Sequence, residues 1–405
     1  MSATTYENYS PGLQGVIGGI TSVSKITVEE SRLEYRGYNV HDLASKGSFE
    51  ETAYLLLKGK LPTQAELDEF NATLDAERAI PSQVVDALRA CAPGTHPMDM
   101  LKAAYSVLAG YDPEYDQEDP TDHEVNVRKA IRILAKAPTI VTAAYRVANG
   151  KDPIAPKSGL RTASNFLYML HGEEQDEYTE LVMDASLTLY AEHTFNASTF
   201  ACRVTVATLS DIYSGIVTGI GTLKGPLHGG ANEEAMAMLL EVGSPENAEA
   251  WIRDALATKK KIMGFGHREY KVGDGRAIYL TEVAKEIGRR KGNTMWGDIA
   301  DIMEKVMREE KNIYPNVDFP AAYAYYLLGI PIELYTPIFV MARVSGWSAH
   351  AIEQLDNNRL IRPSCIYEGD LDKAYVEIQT AKLSSLFDLK TSAFIAGVFS
   401  CFRSI

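Results

Sequence analysis

Gly225-Pro-Leu-His228-Gly-Gly-Ala-Asn232-Glu-Glu-Ala-Met-Ala-Met-Leu-Leu-Glu-Val242 reads as a glycine-rich turn running into a strong helix former, with Asn232 as the expected cap and two acids in the first helical turn. The same grammar recurs along the chain. Helices are expected around 83 to 91, 98 to 109, 124 to 148, 161 to 171, 177 to 190 and 196 to 209, each bounded by Gly or Pro. Asn39 and Ser48-Phe-Glu-Glu start earlier ones, and Pro62-Thr-Gln-Ala-Glu-Leu another. Strand-like alternation is confined to residues 12 to 36 (Val16, Ile17, Ile20, Val23, Ile26, Val28, Leu33), so the expected fold is all-α with short N-terminal strands.

The turn that opens this stretch has a counterpart in Gly264-Phe-Gly-His267-Arg-Glu-Tyr-Lys271, with Arg276 just beyond. Glycine beside an imidazole lets the backbone adopt left-handed or tight conformations and lets a ligand approach main-chain atoms, which a core histidine does not need. Ordinary turns are the alternative. His228 stands just before a helix N-terminus, whose positive end disfavours imidazolium, so a neutral imidazole that donates an uncharged hydrogen bond is expected.

Other candidates lie further out. Ala191-Glu-His193-Thr-Phe-Asn196 places His193 and Asn196 on one helical face, with a hydrogen-bonded core histidine as the bland reading. Asp318, in Asn316-Val-Asp318-Phe-Pro320, sits at a helix start: it is a helix cap or a general base kept ionised there. Arg343 lies in an apolar helical run, where an unpaired charge is costly and an anionic partner is expected. Asn357-Asn-Arg359-Leu-Ile-Arg362-Pro adds loop arginines shaped for carboxylates, although a surface charge is the commoner fate of such a residue.

At 405 residues two domains are the default, and a 46% hydrophobic, 23% charged chain without an 18-residue apolar run fits a globular protein with no membrane partner. A net charge of −14 argues against nucleic acid as a partner. Cys91, Cys202, Cys365 and Cys401 are scattered without ligand spacing, so neither a disulfide framework nor a metal site is expected. The first residues lack the pattern of a signal or transit peptide, which points to the cytoplasm.

With these residues in hand, the chain resembles the citrate synthase family from about Gly12 to Glu377. The resemblance rests on Glu34-Tyr-Arg-Gly-Tyr, His96-Pro-Met-Asp, Ala191-Glu-His-Thr-Phe-Asn-Ala-Ser, Gly225-Pro-Leu-His-Gly-Gly-Ala-Asn, Met263-Gly-Phe-Gly-His-Arg, Asn316-Val-Asp-Phe, Gly346-Trp-Ser-Ala-His and Ile361-Arg-Pro, in the family's order. It implies a citrate synthase fold with a large helical domain (1–229 and 330–380), a small helical domain (230–329) and a tail of unknown role (381–405). It also implies an acyltransferase that condenses acetyl-CoA with oxaloacetate in a homodimer with a shared active site, without a permanently bound cofactor or a metal. His228, His267 and Asp318 would be catalytic. His193, Arg276, Arg343 and, from a second subunit, Arg362 would bind oxaloacetate, and Lys271 would contact CoA phosphate. Two alternatives stand beside it: a 2-methylcitrate synthase using propionyl-CoA, and a catalytically silent assembling homologue. Gly275, where the family usually has Pro, departs from the pattern and is expected to loosen a loop.

Overall fold

The computed structural model describes residues 9–270 and 273–376; Lys271 and the 381–405 tail lie outside the described residues. By internal contacts the chain divides into two units, 1–361 and 362–405. In the described part of the second unit, residues 362–376 form no helix or strand and Arg362 is exposed.

The first unit opens with an antiparallel three-stranded sheet of β1 (Ser24–Thr27), β2 (Arg32–Tyr35) and β3 (Tyr38–Asn39), in the order β1-β2-β3, with Ser24 opposite Tyr35 and Glu34 opposite Asn39. Sixteen α-helices follow among the described residues. They are α1 (Val40–Lys46), α2 (Phe49–Lys58), α3 (Gln64–Glu77), α4 (Ser82–Arg89), α5 (Pro97–Ala109), α6 (His123–Ala148), α7 (Thr162–His171) and α8 (Glu177–Tyr190). The second eight are α9 (Ala197–Val206), α10 (Ile212–Leu223), α11 (Ala231–Val242), α12 (Pro245–Ala257), α13 (Gly275–Arg290), α14 (Met295–Lys311), α15 (Asp318–Leu327) and α16 (Tyr335–Asp356). The all-α expectation holds, and among the described residues no helix is long and apolar enough to cross a membrane.

Local chemistry explains the starts of several helices. Asn39 accepts from the His41 N–H and Ser48 from the Glu51 N–H, while Thr63 and Glu66 complete a reciprocal capping box. α11 differs from its expected start: Gly230 is its N-cap, and Asn232 lies inside the helix with its Oδ1 accepting from Glu233 N–H.

α16 lies at the centre. It is buried nearly from end to end and packs on α2, α6, α8, α9 and α10, as an all-round apolar helix must. Arg343 is therefore carried into the core by its neighbours. α11 packs on α15, α12 on α14, and α13 on both α15 and α8, which brings the starts of α13 and α15 towards the end of α8.

Candidate active site

α8 ends at Tyr190 and α9 begins at Ala197, so His193 and Asn196 do not share a helical face as the sequence suggested. The link turns through Thr194, whose φ is 50°. Asn196 is instead the cap of α9, accepting from Thr199 N–H. Small polar residues compete for backbone bonds, and here they end one helix and start the next. Arg203 points elsewhere, donating to Glu353 at 2.7 Å.

The turn before α11 aims His228 at the start of α9. The Ser198 N–H donates to Nε2 at 3.3 Å and Ser198 Oγ lies 2.8 Å from it, while Trp347 Nε1 donates to the same hydroxyl at 3.0 Å. With Nε2 accepting, the proton belongs on Nδ1. Burial, and after it the Arg343 charge, pushes the His228 pKa down to about 4, so the ring is neutral near pH 7.

Two loops are knitted together to place His267 and Asp318. Gly266 N–H donates to Tyr314 O, Asn316 N–H to Gly264 O, and Asn316 Nδ2 to Gly266 O, around a single bridge between Phe265 and Pro315. Gly264 has φ +78°, and a Cβ there would lie 2.8 Å from the Phe319 side chain, so only glycine fits. Around His228, by contrast, no glycine takes a positive φ. His267 Nδ1 accepts from the Glu269 and Tyr270 N–H groups at 3.1 and 3.3 Å, which leaves the ring proton on Nε2.

Asp318 is the first residue of α15, and its side chain does not cap it. Its N–H donates to Asn316 Oδ1, and one carboxylate oxygen accepts from Tyr190 Oη at 2.7 Å. Burial raises its pKa to about 6, against the lowering effects of the Tyr190 hydrogen bond and Arg276. The group is still ionised near pH 7, but capping does not lower its basicity: desolvation outweighs the hydrogen bond, and the carboxylate is a better base for it.

The cationic side of the site is buried. Arg276 is held by Asp274 through Nε to Oδ1 at 3.0 Å and Nη2 to Oδ2 at 2.8 Å, and Asp274 also accepts from the Val317 N–H at 3.1 Å. One carboxylate thus fixes the start of α13 against the start of α15. Arg343 donates from Nε to Tyr190 O at 2.7 Å and lies over the Phe339 ring at 4.7 Å. Burial pushes its pKa down to about 10, and Glu192 is the nearby charge that most opposes this.

His193, His267 and Tyr270 form a cluster of rings, with centroids 5.0 Å (His193 to His267), 4.8 Å (His267 to Tyr270) and 5.6 Å (His193 to Tyr270) apart. Burial first, then Arg276, His267 and Arg343, holds the His193 pKa far below the usual histidine range. His193 Nε2, Arg343 Nη1 and Tyr270 Oη are buried and find no partner among the described residues. Unsatisfied polar atoms in a core are costly, so their clustering points to a polar ligand that completes them.

The first unit thus gathers His193, His228, His267, Arg276, Asp318 and Arg343. Arg362 belongs to the second unit and Lys271 is not described, so neither is placed with them. Sequence reasoning missed Asp274, although an Asp two residues before Arg276 at a helix start is a recognisable cap. It also missed Tyr190, for which the local sequence carries no cue. Among the described residues no group of three His, Cys, Asp or Glu side chains is arranged to hold a metal ion.

Residues 12–364 match the family model described as citrate synthase, C-terminal domain. Citrate synthase 2 of Bacillus subtilis is 46% identical over 369 residues, covering 91% of this chain and 98% of that protein. The 2-methylcitrate synthase of Mycobacterium tuberculosis is 45% identical over 358 residues, covering 88% and 90%. A solved citrate synthase of Thermoplasma acidophilum, in a ternary complex with carboxymethyl coenzyme A and oxaloacetate, superimposes with a TM-score of 0.86 at 34% identity, covering 93% of this chain and 100% of that one.

Proposed function

Because the chain belongs to the citrate synthase family, whose enzymes are acyltransferases, we propose that it condenses acetyl-CoA with oxaloacetate and water to give citrate and CoA. The observation that carries this reading is the pairing of a raised-pKa carboxylate, Asp318, with two imidazoles, His228 and His267, each left with one defined N–H donor.

Asp318 removes a proton from the acetyl-CoA methyl group. That carbon is a weak acid, so the charge developing on the thioester oxygen must meet a donor, and His228 Nδ1–H supplies it. Removing one such donor typically slows turnover about 100 to 1000-fold. The resulting enol carbon attacks the ketone of oxaloacetate, whose oxygen is polarised and then protonated by His267 Nε2–H. Water hydrolyses the thioester to release CoA. His193, Arg276 and Arg343 hold the two oxaloacetate carboxylates, joined by Arg362 from a second copy in a homodimer, and Lys271 meets CoA phosphate. Holding both carbon centres in one geometry replaces a bimolecular encounter with a near-unimolecular step. In this reading the segment 230–329 is a small domain that closes on a large one (1–229 and 330–380) and excludes water. The protein works in the cytoplasm with no metal and no permanently bound cofactor.

A second reading, 2-methylcitrate synthase, is favoured by the Mycobacterium tuberculosis relative at 45% identity. One methylene is worth only about 1–3 kcal/mol in a pocket, so overlap of the two activities is expected. CoA-thiol release with oxaloacetate and either acetyl-CoA or propionyl-CoA separates them by their kcat/KM ratio. Absence of release with both thioesters from folded protein would leave the silent, assembling homologue as the surviving reading.

A further inference from the structure

Tyr190, the last residue of α8, is fully buried, and every part of it is engaged. Its ring packs on Phe339 at 4.4 Å, its carbonyl accepts from Arg343 Nε at 2.7 Å, and its phenol donates to Asp318 Oδ1 at 2.7 Å. The carbonyl bond ties the proposed base to a proposed substrate-binding arginine through one residue. Asp318 Oδ2 accepts no hydrogen bond from a described residue, so the phenol makes the two carboxylate oxygens unequal.

We propose that Tyr190 is a positioning residue for the condensation: its phenol occupies Oδ1 of Asp318, fixes the plane of the carboxylate, and leaves Oδ2 as the oxygen that takes the methyl proton. This rests on the reading of Asp318 as the base. The charged and titratable groups around the pair are Arg276 and Asp274 at the start of α13, Tyr325 on α15 and Arg343 on α16. A hydrogen bond from the phenol favours the charged carboxylate and so opposes the rise that burial imposes. Removing it raises the Asp318 pKa further, and the carboxylate is protonated over a wider range of pH.

The test compares wild type, Tyr190→Phe and Asp318→Asn as full-length protein. Tyr190→Phe keeps the ring and the backbone carbonyl, so Arg343 keeps its bond. Two quantities are read: the pH profile of kcat/KM for CoA release, and the carboxyl stretch of Asp318 titrated by infrared difference spectroscopy without substrate, with Asp318→Asn as the blank. The expected result for Tyr190→Phe is an acid limb and an infrared pKa both displaced upward by about one pH unit, roughly tenfold in protonation equilibrium, with the KM for oxaloacetate within about twofold of wild type. If Asp318→Asn is inactive but Tyr190→Phe matches wild type in both readouts, Tyr190 is a packing residue and the inference falls alone. If Asp318→Asn turns over like wild type, the reading of Asp318 as base falls and takes the inference with it.

Discussion

Asp274 receives two hydrogen bonds from the guanidinium of Arg276, at 3.0 and 2.8 Å, with both side chains buried, and its second oxygen also receives the Val317 N–H. The pair does two jobs. It offsets the burial of the Arg276 charge, and it fastens the helix carrying Arg276 to the segment carrying Asp318. Breaking a buried pair from one side leaves an uncompensated charge, at a cost of about 3–5 kcal/mol. Asp274→Asn is therefore expected to lower unfolding stability by about that amount in urea melts and to raise the KM for oxaloacetate. Adding Arg276→Gln should restore part of the stability and none of the activity. Additive losses in the double variant would show that the two side chains are not coupled.

The pH dependence of turnover follows from two shifted groups. His228 is pushed down to about 4 and stays neutral throughout the working range, whereas Asp318 is pushed up to about 6. Activity should fall as pH drops through about 6, with Asp318 the group that titrates. A limb that persists unchanged in a His228→Ala variant, slowed overall by about 100 to 1000-fold, excludes His228 as the titrating group and assigns the rate loss to the lost donor.

The same shift has a consequence for stability. A carboxyl whose folded pKa lies above its unfolded value binds more protons when folded, so stability rises as pH falls from about 6 towards 4 and is lowest once the group is charged. Asp318→Asn removes that burden while keeping an acceptor for Tyr190. The variant should be inactive yet more stable than wild type at pH 8, by on the order of 1–2 kcal/mol after allowance for partial solvent exposure. Thermal melts at pH 8 and pH 5 check the sign: the gain should shrink at the lower pH.

Gly275 does not loosen a loop. It is the first residue of α13, and a Cβ built on it would stand 2.3 Å from the backbone oxygen of Ser31, in the turn before β2. Restoring proline by Gly275→Pro should therefore destabilise the protein, by about 1–3 kcal/mol as overpacking generally does. The check is a lowered melting temperature in Gly275→Ala and Gly275→Pro alike; a rise in either would mean that the hairpin turn yields easily.

The helices were legible because their ends carry chemistry within four residues: Asn39, Ser48 and Thr63 each cap through their own side chain. The positions of His228, His267 and Asp318 were legible for the same reason, as each sits in a short Gly- or Pro-marked segment. What sequence could not carry was the state of those groups. Asp318 looked like a cap because caps are local, but its pKa is set by burial and by Tyr190, 128 residues away. His193 looked helical because its neighbours are good helix formers, yet the chain turns at Thr194 to start α9. Periodicity reports which face is buried; it does not report what meets it across the core.

Arg343 and His193 give the last prediction. Each holds a buried nitrogen without a partner among the described residues, Nη1 and Nε2 respectively, so each would gain most from the oxaloacetate binding we propose. A planar fork cannot be replaced by a point charge, so Arg343→Lys keeps the charge and loses the geometry. Its KM for oxaloacetate should rise about 10 to 100-fold, consistent with the loss of a charge-assisted hydrogen bond of roughly 1.5–3 kcal/mol. His193→Ala should raise the same constant by less, since a neutral donor rather than a charge is lost. Neither change should alter the KM for acetyl-CoA by more than about twofold, because neither nitrogen is assigned to the thioester. Isothermal titration of oxaloacetate into each variant separates binding from turnover, and unchanged oxaloacetate affinity in Arg343→Lys would remove Arg343 from the substrate site.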